Sequence, residues 1–156
     1  MKQSTPVVFL GADHAGFALK QQIKPLLAEM GFAVVDKGAK KFIPADDYPD
    51  YAYAVAKEIG KGRGLGVLLC GSSHGVCIAA NKVRGVRAAS VTTVRDAELT
   101  REHNDANVLC LSGWGLPLTH ARAIVRAFLT TPYSGATRHE RRLKKITAFE
   151  KKIFRR

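Results

Sequence analysis

The chain has 156 residues, which is the size of one domain with a buried hydrophobic core. Apolar residues make up 46% and charged residues 24%, which excludes a disordered, collagen-like or disulfide-framework protein. The net charge of +12 suggests an anionic partner: nucleic acid, an acidic membrane or a phosphorylated metabolite. Residues 121–156 hold 11 basic and 2 acidic side chains and therefore carry +9 of this charge. We expect a single domain over residues 1–156, with a nearly neutral body and a basic C-terminal helix and tail at 138–156.

Short apolar runs alternate with segments of helical period along the chain. This alternation predicts βαβ units, and hence an α/β, Rossmann-like domain with a five-stranded parallel sheet and helices on both faces. Each run is nearly continuously apolar, which predicts strands covered on both faces. The predicted strands are Val7–Gly11, Ala33–Asp36, Gly66–Cys70, Val86–Val91 and Asn107–Leu111.

Helical spacing of apolar residues predicts six helices between and after these strands. They are Phe17–Met30, Tyr51–Ile59, Val76–Lys82, Val94–His103, Leu116–Leu129 and residues 138–154. Gly31 stands where a helix C-cap is expected, and Pro117 is placed in a first turn. The longest irregular stretch, residues 37–49, runs into acidic residues from Asp46 to Asp50, and a loop of this length is expected to shape a site.

Ligands of open parallel sheets bind at the carboxyl ends of the strands, so the residues there are the candidates for chemistry. After the first strand, Gly11 and Gly16 fit the ends of a dinucleotide-binding motif. The central glycine of that motif is replaced by Asp13, whose carboxylate would repel a pyrophosphate, which disfavours a nucleotide site.

Cys70 ends the third strand and is followed by the glycine-rich segment 71–75, which leads into a helix. Backbone N–H groups and a positive helix end would stabilise a thiolate and a nearby oxyanion. The alternative is that Cys70 is a small buried residue. A phosphatase loop is disfavoured because Val76 replaces the required arginine. Cys77 and Cys110 are predicted as core, and three cysteines without a CxxC pair predict neither a disulfide nor a zinc ribbon.

The five histidines differ in their surroundings. His14 and His103 lie in polar clusters beside strand ends, and His74 lies in the glycine-rich loop, whereas His120 and His139 are predicted as solvated or packing residues on helices. No HxxxH or HExxH spacing supports a metal site.

Two arginines, Arg138 and Arg142, lie four residues apart and therefore on one face of the last helix. There they could grip one phosphate or belong to a solvated basic face. The absence of a signal peptide pattern and of any run of about 18 apolar residues predicts a soluble, cytoplasmic protein that does not enter a membrane.

Taken together, these motifs resemble the type B ribose-5-phosphate isomerases and the related galactose-6-phosphate isomerase subunits. The matching segments are GADHAG at 11–16, DYPD at 47–50, GVLLCGS at 66–72, IAANK at 78–82, GVRAA at 85–89, REHNDANV at 101–108 and RHERR at 138–142. The resemblance implies a homodimer, or a tetramer, whose active sites both chains complete, without a metal or organic cofactor. It also implies aldose–ketose isomerisation of a sugar phosphate through an enediolate, most simply ribose 5-phosphate to ribulose 5-phosphate.

The resemblance also assigns roles to residues. Cys70 matches the proton-transferring cysteine, and His103, with Ser72 and Asp13 nearby, matches the group that opens the furanose ring. Asn104 would hold a sugar hydroxyl or the enediolate oxygen. Phosphate-binding positions are matched by His14, Arg138 and Arg142. The remaining residues expected at the substrate are Tyr48, Gly71, Ser73, His74, Gly75 and Trp114.

The chain departs from the family pattern at two places. Ser73 and His74 make the anion loop bulkier than the usual small residues, and Trp114 stands where the family usually has an arginine that binds phosphate. The indole is suited to stacking on a sugar face. Three alternatives therefore stay open: a hexose phosphate substrate, an unphosphorylated sugar, and a non-catalytic isomerase-like protein that binds nucleic acid through its basic C-terminus, although few aromatic residues there could stack on bases.

Overall fold

The computed structural model describes residues 6–154, so the last two residues of the predicted basic tail lie outside the described part. Its five strands form one parallel sheet in the order β2-β1-β3-β5-β4. The strands are β1 (Val7–Ala12), β2 (Ala33–Asp36), β3 (Leu65–Cys70), β4 (Ala88–Ser90) and β5 (Val108–Ser112). The helices are α1 (His14–Glu29), α2 (Tyr48–Gly60), α3 (His74–Ala80), α4 (Val94–Asn104), α5 (Leu118–Thr130) and α6 (Thr137–Ile153). The α/β prediction with five parallel strands is therefore confirmed.

Successive residues of the central strands point to opposite faces of the sheet, and each face has its own core. Leu69 of β3 packs with α1, α5 and part of α4, whereas Leu68 and Cys70 pack with α2 and α3. Both faces of β1, β3 and β5 are therefore buried, as their continuous apolar sequence predicts.

The prediction that all five strands are covered on both faces is wrong for β2 and β4. They form the edges of the sheet, and β2 alternates between exposed and half-buried residues. The fourth strand is also shorter than Val86–Val91, because Val86 N–H bonds to Val83 in a turn and Arg87 N–H bonds to the Asn107 side chain.

Four helices begin two or three residues away from their predicted starts, and the first of them, α1, begins at His14 instead of Phe17. Helix α2 begins at Tyr48, with Pro49 in its first turn, where a missing N–H costs nothing. Helix α3 begins at His74, so this histidine opens the helix instead of lying within the loop. Pro117 is the N-cap of α5 and precedes the helix. Gly31 follows the C-cap of α1 with φ +84°, as the prediction of a glycine stop requires.

Helix α6 is the element least integrated into the domain. It lies against α4, and Glu150 accepts a hydrogen bond from Gly85 N–H at 3.2 Å. His139 is its buried residue, while Ile146, Phe149 and Ile153 leave an apolar stripe exposed to solvent. Across residues 6–154, no helix combines the length and the apolarity that crossing a membrane demands.

Candidate active site

The strand order of the sheet reverses between β1 and β3. From β1 the chain continues to the edge strand β2, whereas β3 pairs with the opposite side of β1. At such a point the two following loops diverge and leave a crevice at the carboxyl ends of the strands. A cleft of about 310 Å³ opens there. It is lined by Asp13, His14, Ala15, Tyr48, Cys70, Gly71, Ser72, Gly75 and Trp114. All but Ala15 are residues that the sequence analysis singled out.

Cys70 is the last residue of β3, is 4% exposed and lines the cleft. Its carbonyl oxygen accepts a hydrogen bond from Gly113 N–H at 2.7 Å, which fixes the strand end. Ser73 adopts the left-handed region, with φ +71°, and its hydroxyl lies 2.5 Å from that of Ser90. The turn after Cys70 is therefore held at both ends, with the thiol beside the first residues of α3.

Two aromatic side chains form walls of the cleft by packing against glycines. A Cβ at Gly71 would lie 2.4 Å from the indole of Trp114, and a Cβ at Gly75 would lie 2.7 Å from the ring of Tyr48. Trp114 N–H also donates to the Gly71 carbonyl at 3.1 Å. These close approaches require the absence of a side chain at both glycines.

His14 is held in place by Asp46, which lies in the long loop before α2. The Asp46 carboxylate accepts from His14 backbone N–H at 2.8 Å and lies 2.9 Å from Nδ1 of the ring. This bond to Asp46 raises the pKa of His14. Burial alone would raise the pKa of Asp46, but the bonds from His14 outweigh it and lower that pKa. Sequence reasoning missed Asp46 as a partner of His14, although it recognised the acidic loop as site-forming.

Asp13 is the N-cap of α1 and accepts from Gly16 N–H at 3.0 Å. It is buried, and this burial raises the pKa of its carboxyl group despite the opposing effects of the Gly16 bond and of His14. A carboxyl group with a raised pKa at the edge of a cleft is suited to exchanging protons.

Ser73 and His74 do not line the cleft that holds Cys70. Together with Ser72, they line a neighbouring cavity of about 420 Å³. Ser73 directs its hydroxyl towards Ser90, whereas His74 is exposed. The structure therefore places these two residues next to the cleft and not on its lining.

Four other predicted site residues lie outside this cleft. His103 and Asn104 end α4 just before β5 begins, and Arg138 and Arg142 lie in the first turns of α6. Residues that precede a parallel strand lie at its amino end, opposite the edge where Cys70 is found, so none of the four lines the cleft. Within one chain, the polar cluster that contains His103 therefore lies beside the opposite end of the strands from Cys70.

His139, predicted as a solvated or packing residue, packs on His103. Their rings stack with centroids 4.3 Å apart, and Arg138 Nε donates to Nε2 of His139 at 3.2 Å. Cys110 is a core residue as predicted, and Cys77 is half-buried beside it. In the part of the chain from residue 6 to 154, His, Cys, Asp and Glu side chains form no group of three that could hold a metal ion.

The chain resembles known proteins over most of its length. The model of the ribose/galactose isomerase family matches residues 8–146. Ribose-5-phosphate isomerase B of Mycobacterium tuberculosis is 43% identical over 145 residues, covering 92% of this chain and 90% of that protein. A protein named probable ribose-5-phosphate isomerase B of Mycoplasma genitalium is 44% identical over 146 residues, covering 92% of this chain and 95% of that protein.

Solved structures extend the likeness to the backbone. The ribose-5-phosphate isomerase B of Mycoplasma genitalium, crystallised with ribulose 5-phosphate, matches with a TM-score of 0.91 and 43% identity, covering 96% of this chain and 99% of that one. The type B enzyme of Trypanosoma brucei matches with a TM-score of 0.89 and 43% identity, covering 93% and 99% of the two chains. The chain belongs to the ribose/galactose isomerase family.

Proposed function

We propose that the protein is an aldose–ketose isomerase that interconverts ribose 5-phosphate and ribulose 5-phosphate. The observation that carries this proposal is the position of the Cys70 thiol, at a strand end and beside the glycine-rich start of α3 in a cleft of substrate size. It is supported by the relatives named as ribose-5-phosphate isomerases and by the bound ribulose 5-phosphate in the Mycoplasma genitalium structure.

In the proposed reaction, Cys70 acts as a thiolate on the open-chain sugar. It removes the proton from C2 of the aldose, and the electron pair of that bond forms the C1–C2 double bond while negative charge moves to O1. The backbone N–H groups of segment 71–75 stabilise this enediolate oxygen. Cys70 then returns the proton to C1, and transfer of the O2 proton to O1 completes the ketose. No electron acceptor is needed, because the oxidation at C2 balances the reduction at C1.

A second copy of the chain is proposed to complete the cleft. Supporting this, His103, Asn104, Arg138 and Arg142 lie away from Cys70, and the nearby α6 carries the exposed apolar stripe of Ile146, Phe149 and Ile153. A stripe of this kind normally packs against another surface. Two copies related by a two-fold axis would each offer both halves of a site. His103 would then open the furanose ring together with Asp13 and Ser72.

The two arginines of α6 and His14 are proposed to bind the phosphate, and Asn104 a sugar oxygen. Tyr48, Gly71 and Gly75 would contact the substrate, with Ser73 and His74 at its margin. No metal or organic cofactor enters this scheme. A cytoplasmic site of action is part of the same proposal, since three free cysteines fit a reducing compartment.

Trp114 supports a second candidate, the isomerisation of an unphosphorylated sugar. Its side chain is 68% exposed and forms a wall of the cleft across Gly71, where an indole plane could stack on the apolar face of a sugar.

One experiment distinguishes these candidates: a panel of pentose and hexose phosphates and their free sugars, with exchange of the C2 proton followed by NMR. Exchange and turnover of ribose 5-phosphate above all others would support the first proposal. Preference for a free sugar would support the second. If no sugar exchanges and duplex DNA binds with strong salt dependence, the protein is a nucleic-acid binder and not an isomerase.

A further inference from the structure

We propose that Asp46 is a positioning residue that holds His14 as a cation aimed into the cleft, where it binds the phosphate of the substrate. This inference rests on the proposed function for the identity of the ligand, but the pairing of the two side chains stands on the structure alone.

Asp46 is built into the fold as a buried partner for His14. Its side chain is 8% exposed, and one oxygen, Oδ1, accepts from both the backbone N–H and the ring Nδ1 of His14. The two residues are 32 positions apart, so this contact joins the long loop to the first turn of α1. A histidine whose Nδ1–H is bound by a carboxylate has a fixed tautomer and ring orientation.

Because Nδ1 is bound to Asp46, Nε2 is the ring nitrogen available to a ligand in the cleft that His14 lines. Phe42 meets the ring edge-on, with centroids 6.5 Å apart, and limits its movement on another side. When both ring nitrogens carry protons, one donates to Asp46 and the other can donate to an anion. The carboxylate therefore both turns the imidazole and supplies the negative charge that favours its cationic form.

Other ionisable groups line the same cleft as His14 or contact Asp46. They are Asp13 at the start of α1, Tyr48 and Tyr51 of α2, and Cys70 at the end of β3. Asp13 is the other carboxyl group near the ring, and burial makes it less acidic, so it is a weaker source of negative charge. The pKa of Tyr51 is raised to about 12, by burial first and then by Asp46, so this phenol stays neutral at physiological pH. Asp46 is thus the group best placed to stabilise the cation.

The test compares Asp46→Asn with Asp47→Asn in the full-length protein. An asparagine oxygen can still accept from the same N–H groups, so Asp46→Asn removes the charge while keeping the contact. Asp47 is exposed, and its side chain makes no capping bond to α2, so it is a matched control. NMR titration of His14 gives the first readout. We expect a lower pKa in Asp46→Asn and the native value in Asp47→Asn.

The second readout is the pH dependence of KM for ribose 5-phosphate. In Asp46→Asn, KM should begin to rise at a lower pH, and above the His14 pKa it should exceed the native KM about tenfold for each pH unit by which that pKa falls. The value of kcat should change much less, and Asp46→Glu should restore part of the native profile. A structural role alone would lower the amount of folded enzyme without moving the pH profile.

A double-mutant cycle with His14→Gln separates direct from indirect action. If Asp46 acts through His14, Asp46→Asn adds little to the rise in KM once His14 is replaced. Full additivity, or a His14 pKa unchanged in Asp46→Asn, would overturn the inference. Because the NMR titration needs no substrate, a protein that fails to isomerise ribose 5-phosphate would refute the proposed function while leaving the pairing of Asp46 and His14 measurable.

Discussion

The rings of His103 and His139 stack 4.3 Å apart with their planes at 12°, and this contact joins the end of α4 to the start of α6. Burial lowers the pKa of His139, and the neighbouring His103, Arg138 and Arg142 lower it further. Two neutral rings stack favourably, whereas two imidazolium cations would repel each other. Acid should therefore weaken the attachment of α6.

The sign of this effect gives a prediction for stability. A lowered pKa means that the folded protein binds the His139 proton less readily than the unfolded chain does. The stabilisation is therefore complete above about pH 6.5, the value for an unperturbed histidine, and is lost as the pH falls through the lowered pKa. Urea unfolding between pH 7.5 and 5 should show a steeper loss for the native protein than for His139→Gln. Replacement of the exposed His74 by Gln is the control for removing a histidine elsewhere on the surface, and equal slopes in the native protein and His139→Gln would contradict the assignment.

Replacing Cys70 by Ala should abolish turnover while sparing the fold. Loss of a positioned general base costs about 10²- to 10⁴-fold in rate. An alanine fits the apolar cluster that surrounds Cys70, so the circular dichroism spectrum should be unchanged. Cys77→Ala serves as the control, because Cys77 lies on α3 and does not line the cleft. Retention of more than a few per cent of the native activity in Cys70→Ala would exclude the thiol as the base.

The sequence predicts the central part of this site well for a physical reason. A continuous apolar run signals a buried strand, and the residues directly after it must lie at its carboxyl end. Cys70 and Asp13 were identified in this way. The same logic fails for His103, because it precedes its strand and so belongs to the opposite edge of the sheet.

Sequence patterns do not reveal which residues far apart in the chain contact each other. Nothing in the local spacing links Asp46 to His14, since the contact depends on the path of a loop of irregular structure. Likewise, β2 has an apolar sequence similar to that of a central strand, and only the strand order places it at an edge. The fold class was therefore predictable, whereas strand order and the partners of the site residues were not.

Gly71→Ala should displace the indole of Trp114 and narrow the cleft. The added Cβ would lie 2.4 Å from the indole, and because Trp114 is 68% exposed and can move aside, we expect a loss of about 1 kcal/mol of unfolding free energy, the low end of the range for overpacking. In a Trp114→Ala background the same change should cost far less, because the space has been vacated. Urea unfolding of the two single variants and the double variant measures this coupling, and additive effects would show that the indole does not press on Gly71.

Arg138→Ala should raise KM far more for a phosphorylated sugar than for its unphosphorylated analogue. A hydrogen bond to a charged group contributes about 1.5 to 3 kcal/mol, which corresponds to a rise of roughly 10- to 150-fold. Arg141→Ala is the matched control: it removes the same charge from the same helix at an exposed residue outside the proposed site. Equal effects of Arg138→Ala on both sugars would mean that the phosphate is not held there.

Ile146→Asp should separate the proposed dimer and remove activity together with it. Ile146 is 49% exposed on the apolar stripe of α6, and an aspartate buried there in a dimer would lack a partner for its charge. Ala148→Asp is the control, because Ala148 is exposed and lies about 200° around the helix from Ile146.

Analytical ultracentrifugation and turnover are measured on the same samples over a range of protein concentrations. If the cleft of one chain needs His103 and Arg138 of another, activity should follow the dimer fraction, and Ile146→Asp should regain turnover only where it reassociates. A monomeric Ile146→Asp protein with native turnover would show that one chain supplies a complete site. In a single chain, His103 and Arg138 lie too far from Cys70 to share one site with it. The roles assigned to both residues would then be refuted together with the dimer.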